Sequence, residues 1–308
     1  MQGTLVVDLS RYLPGAFATR ELRRLGARVV RVEQPAGDPI RATAPEWHDE
    51  LNGGKESVVA DLPGEAPFVQ ALLQRADVVV ESFRPGVATR LGVGPEHAGE
   101  RTVYCSITGF GVDNELEHTA GHDLNYAGWA GLLEPTAPAL PPVQVADLAA
   151  GALGAVTEIL AALLERERTG RGRRVVVSMT HNAYALASRA PVLTGGYACY
   201  SMYRCADGRW LTVAALEPKF FARLCELVGL PGLAPLHYDA DQAALRAAFA
   251  DVFRRRDLAD WLTLFRGEDV CVGPVATRAE AAAFAPPAAV PAPALGEHTL
   301  AWRRELGR

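Results

Sequence analysis

A histidine and an aspartate carry the chemistry that this sequence offers most directly. His122 lies within the stretch 119–126, and Asp147 opens a long apolar segment of helical type. An imidazole accepts and donates protons near neutral pH, and a carboxylate at a helix start is kept ionised by the helix dipole. Two such groups facing each other across an acidic C–H bond would remove a proton from one face and return one to the other. Spacing alone leaves simpler interpretations open, since lone histidines are more often structural hydrogen-bonding groups and such aspartates are more often helix N-caps.

The segment around the histidine resembles a known enzyme signature. Residues 120–126, from Ala120 to Tyr126, closely resemble the signature of the α-methylacyl-CoA racemases, a branch of the family III CoA-transferases. Other similar segments follow in the family's order along almost the whole chain: 8–11, 14–15, 25–33, 84–87, 90–92, 108–111, 145–147, 203–208, 215–221 and 295–299. Each segment is short, but their number and order identify the chain as a member of this family.

The resemblance implies a 1,1-proton transfer at the carbon α to a thioester carbonyl, through an enolate. His122 and Asp147 match the family's acid/base pair, and Glu217 matches a third carboxylate that supports the histidine. Glu217 also precedes Pro218 at a predicted helix start, so helix capping is an equal alternative. We expect backbone N–H groups at the start of the Asp147 helix to stabilise the enolate. The substrate and CoA contacts implied by the resemblance are Arg11, Lys55, Arg84, Arg90, Gly109, Gly121, Asp123 and Tyr126.

Three other functions remain open from the sequence. In the family's true transferases an aspartate at the position of Asp147 is a nucleophile, which forms a mixed anhydride and then an enzyme–CoA thioester. His122 favours the racemase, because a transferase needs no histidine at that position. The same pair could also catalyse an isomerisation or an elimination on a substrate that carries no CoA. The fourth alternative is a non-catalytic protein that binds an acyl ligand, in which His122→Ala would change nothing.

The sequence departs from the family where CoA phosphates are expected to bind. The family's Asn-Arg-Gly-Lys-Arg-Ser run is replaced by residues 52–57, in which Gly53 and Glu56 stand where arginines are usual. Gln34 also stands where arginine is common. Each lost cation is expected to weaken the binding of a multiply charged ligand by about 1–2 kcal/mol. The acid/base pair is therefore intact while the CoA contacts are depleted, so the expected substrate is an acyl-CoA or another small acyl compound.

Composition excludes several classes of protein. The 308 residues are 49% hydrophobic and 22% charged, with a net charge of −5 and a pI near 5.8. We therefore expect a globular protein with no nucleic-acid or membrane partner. We also expect it to lie in the cytoplasm and to contain no apolar run long enough to span a bilayer. The five cysteines are scattered without a C-x-x-C pair, which argues against a disulfide framework and against a zinc site. No bound metal is expected. No covalently bound cofactor is expected.

Alternating strand and helix patterns predict an α/β fold. A strand over 4–9, a helix over 16–25 and a strand over 28–33 form a β-α-β unit, which predicts a parallel sheet. The chain lacks G-x-G-x-x-G after the first strand, so a nicotinamide cofactor is not expected. Residues 35–54 are expected to form a loop, and residues 147–168 the clearest helix. A hairpin that turns at Asp207-Gly208 and three further helices indicate a smaller α+β region.

The predicted organisation has a large domain, a small domain and a return segment. Residues 1–190 form the large α/β domain, 191–278 the small α+β domain, and 279–308 a linker, rich in alanine and proline over 279–294, followed by a return to the large domain. The family resemblance, and not the composition, implies that the large domain is Rossmann-like, with the family III CoA-transferase fold. It also implies a homodimer in which the two subunits interlock as linked rings.

Overall fold

Six short apolar segments form one parallel sheet in the computed structural model, which describes residues 1–187, 189–285 and 290–307. The strand order is β3-β2-β1-β4-β5-β6, and every neighbouring pair is parallel. Central strands of such sheets are covered on both faces, which is why they read as continuous apolar runs. The predicted α/β fold is confirmed. The strands are β1 (Leu5–Asp8), β2 (Arg28–Glu33), β3 (Glu56–Val59), β4 (Val78–Glu81), β5 (Val103–Thr108) and β6 (Arg174–Ser178).

Helices connect the strands and cover the sheet. Two apolar clusters surround it, one centred on Val6, Val80 and Ile159 and the other on Val7, Leu72 and Trp302. The helices of this region are α1 (Tyr12–Arg24), α2 (Ile40–Thr43), α3 (Pro45–Asn52), α4 (Ala66–Arg75), α5 (Val87–Arg90), α6 (Asp123–Trp129), α7 (Gly154–Thr169) and α8 (Met179–Leu186).

The predicted loop over 35–54 is wrong, because it contains α2 and α3. Pro45 stands in the first turn of α3, where its missing N–H and fixed φ suit a helix start. Leu51 and His48 on the same helix are buried. The pattern was missed because this helix has only eight residues and few apolar side chains.

The predicted helix over 147–168 begins earlier and in another form. Val145–Leu153 is a π-helix, which continues directly into α7. The stretch Val145–Thr169 is long and apolar enough to cross a membrane, so the expectation that no segment has this length is wrong. Core helices of globular proteins meet the same criterion, and Ala146, Ala155 and Ile159 of this stretch are fully buried.

A second compact unit follows the first. Of the described residues, 1–187 and 290–307 belong to the first unit and 189–285 to the second. The hairpin was predicted correctly, since Gly208 adopts φ +81° between β7 and β8. The strands of the second unit are β7 (Tyr200–Arg204), β8 (Trp210–Ala214) and β9 (Val272–Pro274), in one antiparallel sheet. Its helices are α9 (Pro218–Leu227), α10 (Gln242–Phe253), α11 (Leu258–Leu264) and α12 (Arg278–Ala281).

The segment expected to be a linker over 279–294 is partly structured. Thr277 and Glu280 form a capping box on α12, and the Glu280 carboxylate accepts two hydrogen bonds from Arg209, at 2.8 and 3.2 Å. These contacts explain why residues up to 285 belong to the second unit. Residues 286–289 of the expected linker lie outside the described residues. The last helix of the chain, α13 (Thr299–Glu305), belongs to the first unit.

Candidate active site

A cavity of about 420 Å³ opens at the carboxyl ends of β1, β4, β5 and β6. In doubly wound sheets, ligands bind where the strand order reverses, here between β1 and β4. We call it the His122 cavity. All its lining residues belong to the first unit: Arg11, Tyr12, Pro14, Ser82, Phe83, Arg84, Pro85, Ile107, Thr108, Gly109, Phe110, Glu117, Thr119, Ala120, Gly121, His122, Asn125, Tyr126, Asp147 and Met179.

His122 is held in this wall by the start of α6. It is the N-cap residue of that helix, and its backbone N–H donates to Asn125 Oδ1 at 3.0 Å. The Asn125 amide therefore closes the first turn, as in a capping box. The imidazole is exposed, and its ring lies edge-on to the Tyr12 ring with centroids 6.1 Å apart. This backbone anchoring leaves the ring facing the cavity space.

Asp147 lies in the same wall, in the π-helix and not at an N-cap. The N-cap residue is Gln144, so the simple capping interpretation of Asp147 is wrong. Burial, and next the negative charge of Asp123, raise the pKa of Asp147 from 3.8 to about 7. Such a carboxyl exchanges its proton readily at neutral pH. π-helical turns often occur at functional sites, since they re-aim side chains within a helix.

Asp123 performs two tasks at the first position of α6. Its Oδ1 accepts the backbone N–H of Asp147 at 2.9 Å, which fixes the π-helix against α6. Its charge also raises the pKa of the Asp147 carboxyl. The Asp147 N–H therefore already has a partner, and stabilisation of an enolate by other backbone N–H groups at the start of this helix stays a prediction.

Tyr126 is sandwiched between the two predicted glycines. A Cβ on Gly109 would lie 2.4 Å from Tyr126 Cε1, and one on Gly121 would lie 2.7 Å from the same atom. Glycine is therefore required at both positions for the ring to fit. The Tyr126 hydroxyl donates to the Gly121 carbonyl oxygen, and Phe110 packs edge-on against the ring. Burial and Asp147 raise the pKa of Tyr126 to about 12, so it stays a neutral wall of the cavity.

The start of α1 contributes its N-cap residue, Arg11, and its first residue, Tyr12. Arg11 exchanges hydrogen bonds with Ser82, its N–H donating to Ser82 Oγ at 3.0 Å, and the Tyr12 N–H donates to Asp38 Oδ2 at 3.0 Å. Tyr12 has φ +61°, a left-handed conformation that is costly for a bulky residue. Strain of this kind clusters at functional sites.

The two remaining predicted arginines have different positions. Arg84 is exposed and lines the His122 cavity, as well as a neighbouring cavity of about 260 Å³ that contains Glu81. Arg90 is exposed at the end of α5 and lines neither of these cavities. The structure thus brings Arg84, and not Arg90, to the candidate site.

Lys55 is not placed where a ligand phosphate could reach it. Only 3% of its surface is exposed, and its ammonium donates to Ala16 O, Thr19 Oγ1 and Asn52 Oδ1 at 2.8–2.9 Å. It also lies 3.4 Å from the fully buried Asp8 carboxylate. A buried carboxylate requires compensating charge, and that requirement draws the lysine inward under α1.

The two residues that replace family arginines serve the scaffold. A Cβ on Gly53 would lie 1.9 Å from the Val290 carbonyl oxygen, so the C-terminal segment occupies the space of a larger side chain. Glu56 pairs with Arg28 at 2.7 Å and accepts the Trp302 indole N–H at 2.6 Å. Its carboxylate is therefore neutralised within the fold.

Glu217 belongs to the second unit. It is the N-cap residue of α9 and is exposed, but its side chain makes no capping hydrogen bond. The capping interpretation is therefore unsupported, and support of the histidine stays a prediction.

Several wall residues were not anticipated, among them Tyr12, Phe83, Glu117 and Met179. Met179 could have been found, since it directly follows β6, whose carboxyl end adjoins that of β5. The sequence does not indicate that Tyr12 lines the cavity, because its position depends on a positive φ that tyrosine does not favour. No group of three metal-ligating side chains occurs within the described residues.

Comparisons with known proteins agree with this geometry. A family model described as CoA-transferase family III matches residues 1–291. The chain is 36% identical to the α-methylacyl-CoA racemase of Homo sapiens, over 90% of the chain and 78% of that protein. It is 32% identical to the acetyl-CoA:oxalate CoA-transferase of Acetobacter aceti, over 91% of the chain and 82% of that protein. A CAIB/BAIF family protein from Brucella suis superimposes with a TM-score of 0.83 at 27% identity, over 99% of this chain and 98% of the other.

Proposed function

The chain belongs to CoA-transferase family III, and within that family we propose that it inverts the carbon α to a thioester carbonyl by 1,1-proton transfer. The observation that carries the proposal is the pairing of His122 with an Asp147 of near-neutral pKa in one cavity. An acid/base pair works best when its pKa values lie near the working pH. The similarity to the α-methylacyl-CoA racemase of Homo sapiens supports this proposal.

The pair would act with one proton between its two members. In one direction the ionised Asp147 removes the α-proton, the carbonyl takes the charge as an enolate, and protonated His122 delivers a proton to the other face. In the reverse direction the roles exchange. Burial of the Asp147 carboxylate makes it a stronger base than an exposed aspartate, and neighbouring Asp123 adds to this effect. The neutral Tyr126 ring shields the reacting carbon from water.

The substrate is proposed to be a 2-methylacyl thioester of coenzyme A. The His122 cavity shares Arg11 and Phe83 with a second cavity of about 240 Å³ at the ends of β1, β2 and β3. Two adjoining cavities suit a long ligand, with the acyl group in the first and the nucleotide in the second. Arg11 stands where the two meet, and Arg84 lies on the other side of the His122 cavity.

The competing reaction is CoA transfer between carboxylic acids, with Asp147 as the nucleophile. Related transferases, such as that of Acetobacter aceti, favour this alternative. A nucleophilic carboxylate would form an acyl anhydride with the substrate, whereas a base would form none. His122 would then be dispensable.

The test is the chirality of a (2R)-2-methylacyl-CoA after incubation with the enzyme. Racemisation is expected, with losses of about 100- to 10,000-fold in Asp147→Asn and in His122→Gln. Asp113→Asn, an exposed acid outside the His122 cavity, is the matched control and is expected to retain full activity. Unchanged racemisation in either site variant, or an Asp147 hydroxamate on addition of hydroxylamine, would refute the proposal.

The family resemblance also leads us to propose an interlocked homodimer. Leu153, Leu160 and Leu164 are 38–61% exposed along one side of the π-helix and α7. Their spacing of seven and four residues places them on one helical face. Burial against a second copy would remove this apolar face from water. Sedimentation that gives a monomer at micromolar concentration would contradict the proposal.

A further inference from the structure

Tyr12 combines a strained backbone with a ring that lies against the histidine of the candidate site. Its φ of +61° lies in the left-handed region, which is costly for a bulky side chain but not for glycine. Its side chain is 43% exposed and lines the His122 cavity, so burial offsets only part of this cost. A strained residue of this kind persists only where the surrounding structure holds it in place.

Hydrogen bonds on both sides hold the peptide between Arg11 and Tyr12. The Arg11 N–H donates to Ser82 Oγ at 3.0 Å, and the Ser82 hydroxyl donates to the Arg11 carbonyl oxygen at 3.2 Å. The Tyr12 N–H donates to Asp38 Oδ2 at 3.0 Å. Asp38 is buried and is itself bound by the Arg31 guanidinium at 2.5 Å. The left-handed conformation is therefore anchored to groups that are fixed in the fold.

The Tyr12 ring contacts His122. The two rings lie edge-on, with centroids 6.1 Å apart and an interplanar angle of 83°, an arrangement that aromatic pairs favour. No other aromatic ring packs against the imidazole within residues 1–187, 189–285 and 290–307. The Asn125 side chain accepts the backbone N–H of His122, so it fixes the backbone of the histidine rather than its ring. The direction of the exposed imidazole therefore depends on what packs against it.

The structure holds the ring of Tyr12 in place and not its hydroxyl. The Arg11 guanidinium carbon lies 5.7 Å from the centroid of the ring, within the range of a cation–π contact. The hydroxyl makes no hydrogen bond within the part of the chain that the structure describes. A phenylalanine at this position would therefore keep every contact of the side chain.

Building on the proposed proton transfer, we propose that Tyr12 is a positioning residue for His122. Its ring restricts the directions that the imidazole can take and keeps a ring nitrogen aimed at the α-carbon of the substrate. A base must lie within hydrogen-bonding reach of the proton that it removes, and small errors in its position lower the rate strongly. The strained backbone brings the ring to the histidine, because a right-handed conformation would direct the side chain elsewhere.

The test compares Tyr12→Phe, Tyr12→Ala and Tyr12→Gly in the full chain, by the rate of α-proton exchange of a 2-methylacyl-CoA in D₂O. Tyr12→Phe keeps the ring and is expected to keep the kcat of the wild type. Tyr12→Ala and Tyr12→Gly lose the ring, so kcat is expected to fall about 10- to 100-fold in both, with little change in KM.

Urea unfolding separates the effect of the ring from that of the backbone. Only glycine relieves the positive φ, so Tyr12→Gly is expected to have a higher urea midpoint than Tyr12→Ala while both are equally impaired in kcat. A purely structural role would instead make activity follow stability, and Tyr12→Gly would then be the more active of the two.

NMR of protein labelled with ¹³C in its histidine rings tests the placement of the imidazole without turnover. The signal of His122 is the one that is absent in His122→Gln. This signal is expected to move in Tyr12→Ala and in Tyr12→Gly, because the ring current of Tyr12 is lost. In Tyr12→Phe it is expected to stay in place.

The inference would be overturned by undiminished exchange in Tyr12→Ala, by recovery of activity in Tyr12→Gly, by an equal loss in Tyr12→Phe, or by a His122 signal that none of the variants moves. Failure of the proposed reaction is a different result, in which the wild type itself exchanges no α-proton. A His122 signal that moves as expected without any exchange in the wild type would sustain the placement of the ring by Tyr12 and overturn the reaction.

Discussion

The charge of Asp123 offers a direct test of how the base is tuned. Asp123→Asn keeps an oxygen for the Asp147 N–H, whose hydrogen bond of 2.9 Å should survive, and removes only the negative charge. Since Asp123 is the second cause of the raised Asp147 pKa, after burial, that pKa should fall from about 7. A charge roughly 6 Å away at an effective dielectric constant of about 40 contributes about 1.4 kcal/mol, or about one pH unit.

The fall in pKa has consequences for both activity and stability. When Asp147 acts as base, the acid limb of the exchange rate should move down by about one pH unit. The pKa of Asp147 is higher in the folded protein than in the unfolded chain. The free energy of unfolding therefore falls as the pH rises from about 4 through 7, because the buried carboxyl becomes charged. Asp123→Asn should therefore be about 1 kcal/mol more stable than the wild type at pH 8, with no such gain at pH 3.

The pH profile of α-proton exchange and the ¹³C NMR titration of the Asp147 carboxyl carbon measure the same shift independently. Asp113→Asn, which removes an exposed charge outside the His122 cavity, should leave both unchanged. An Asp147 titration that stays in place or moves upward in folded Asp123→Asn would refute the electrostatic account.

Three further predictions concern packing and buried charges. Gly109→Ala should displace the Tyr126 ring, since its Cβ would lie 2.4 Å from Cε1, and should cost about 1–3 kcal/mol in urea unfolding with a loss of activity. Burial raises the pKa of Glu81 to about 7, so the free energy of unfolding of the wild type should fall as the pH rises from 4.5 through 7. Glu81→Gln lacks this carboxyl, and its stability relative to the wild type should therefore be about 3 kcal/mol greater at pH 8 than at pH 4. Lys55→Met should cost about 3–5 kcal/mol by leaving the Asp8 carboxylate short of a cation, and binding of an acyl-CoA to the protein that remains folded should be unchanged. The first prediction would be contradicted if Gly109→Ala and the wild type had the same urea midpoint. The second would be contradicted if the stability difference between Glu81→Gln and the wild type did not change with pH, and the third if folded Lys55→Met no longer bound an acyl-CoA.

The parallel sheet was predictable because its strands carry a strong local signal. β1, β4 and β5 are short apolar runs between helical segments, and buried parallel strands have few alternatives. The His122 motif was equally readable, since glycines at 109 and 121 are required by the Tyr126 ring. Local sequence thus determined both the scaffold and the wall that holds the histidine.

Other features depended on contacts that the sequence does not display. The place of Lys55 follows from the buried Asp8, which lies 47 positions earlier. Gly53 was interpreted as a lost phosphate contact, but the return of the chain at Val290 explains why only glycine fits there. Motif matching assigns residue types to positions, whereas burial and distant packing decide which way each side chain faces.

Deuterium incorporation is the most direct test of the central claim that His122 and Asp147 exchange protons with the α-carbon. A 2-methylacyl-CoA would be incubated with the protein in D₂O, without any acceptor acid, and its α-deuterium followed by NMR. The account predicts deuterium at the α-carbon together with loss of chirality, both abolished in Asp147→Asn and His122→Gln. Retained protium and chirality with the wild type, alongside transfer of CoA to a carboxylic acid added in a parallel incubation, would contradict it.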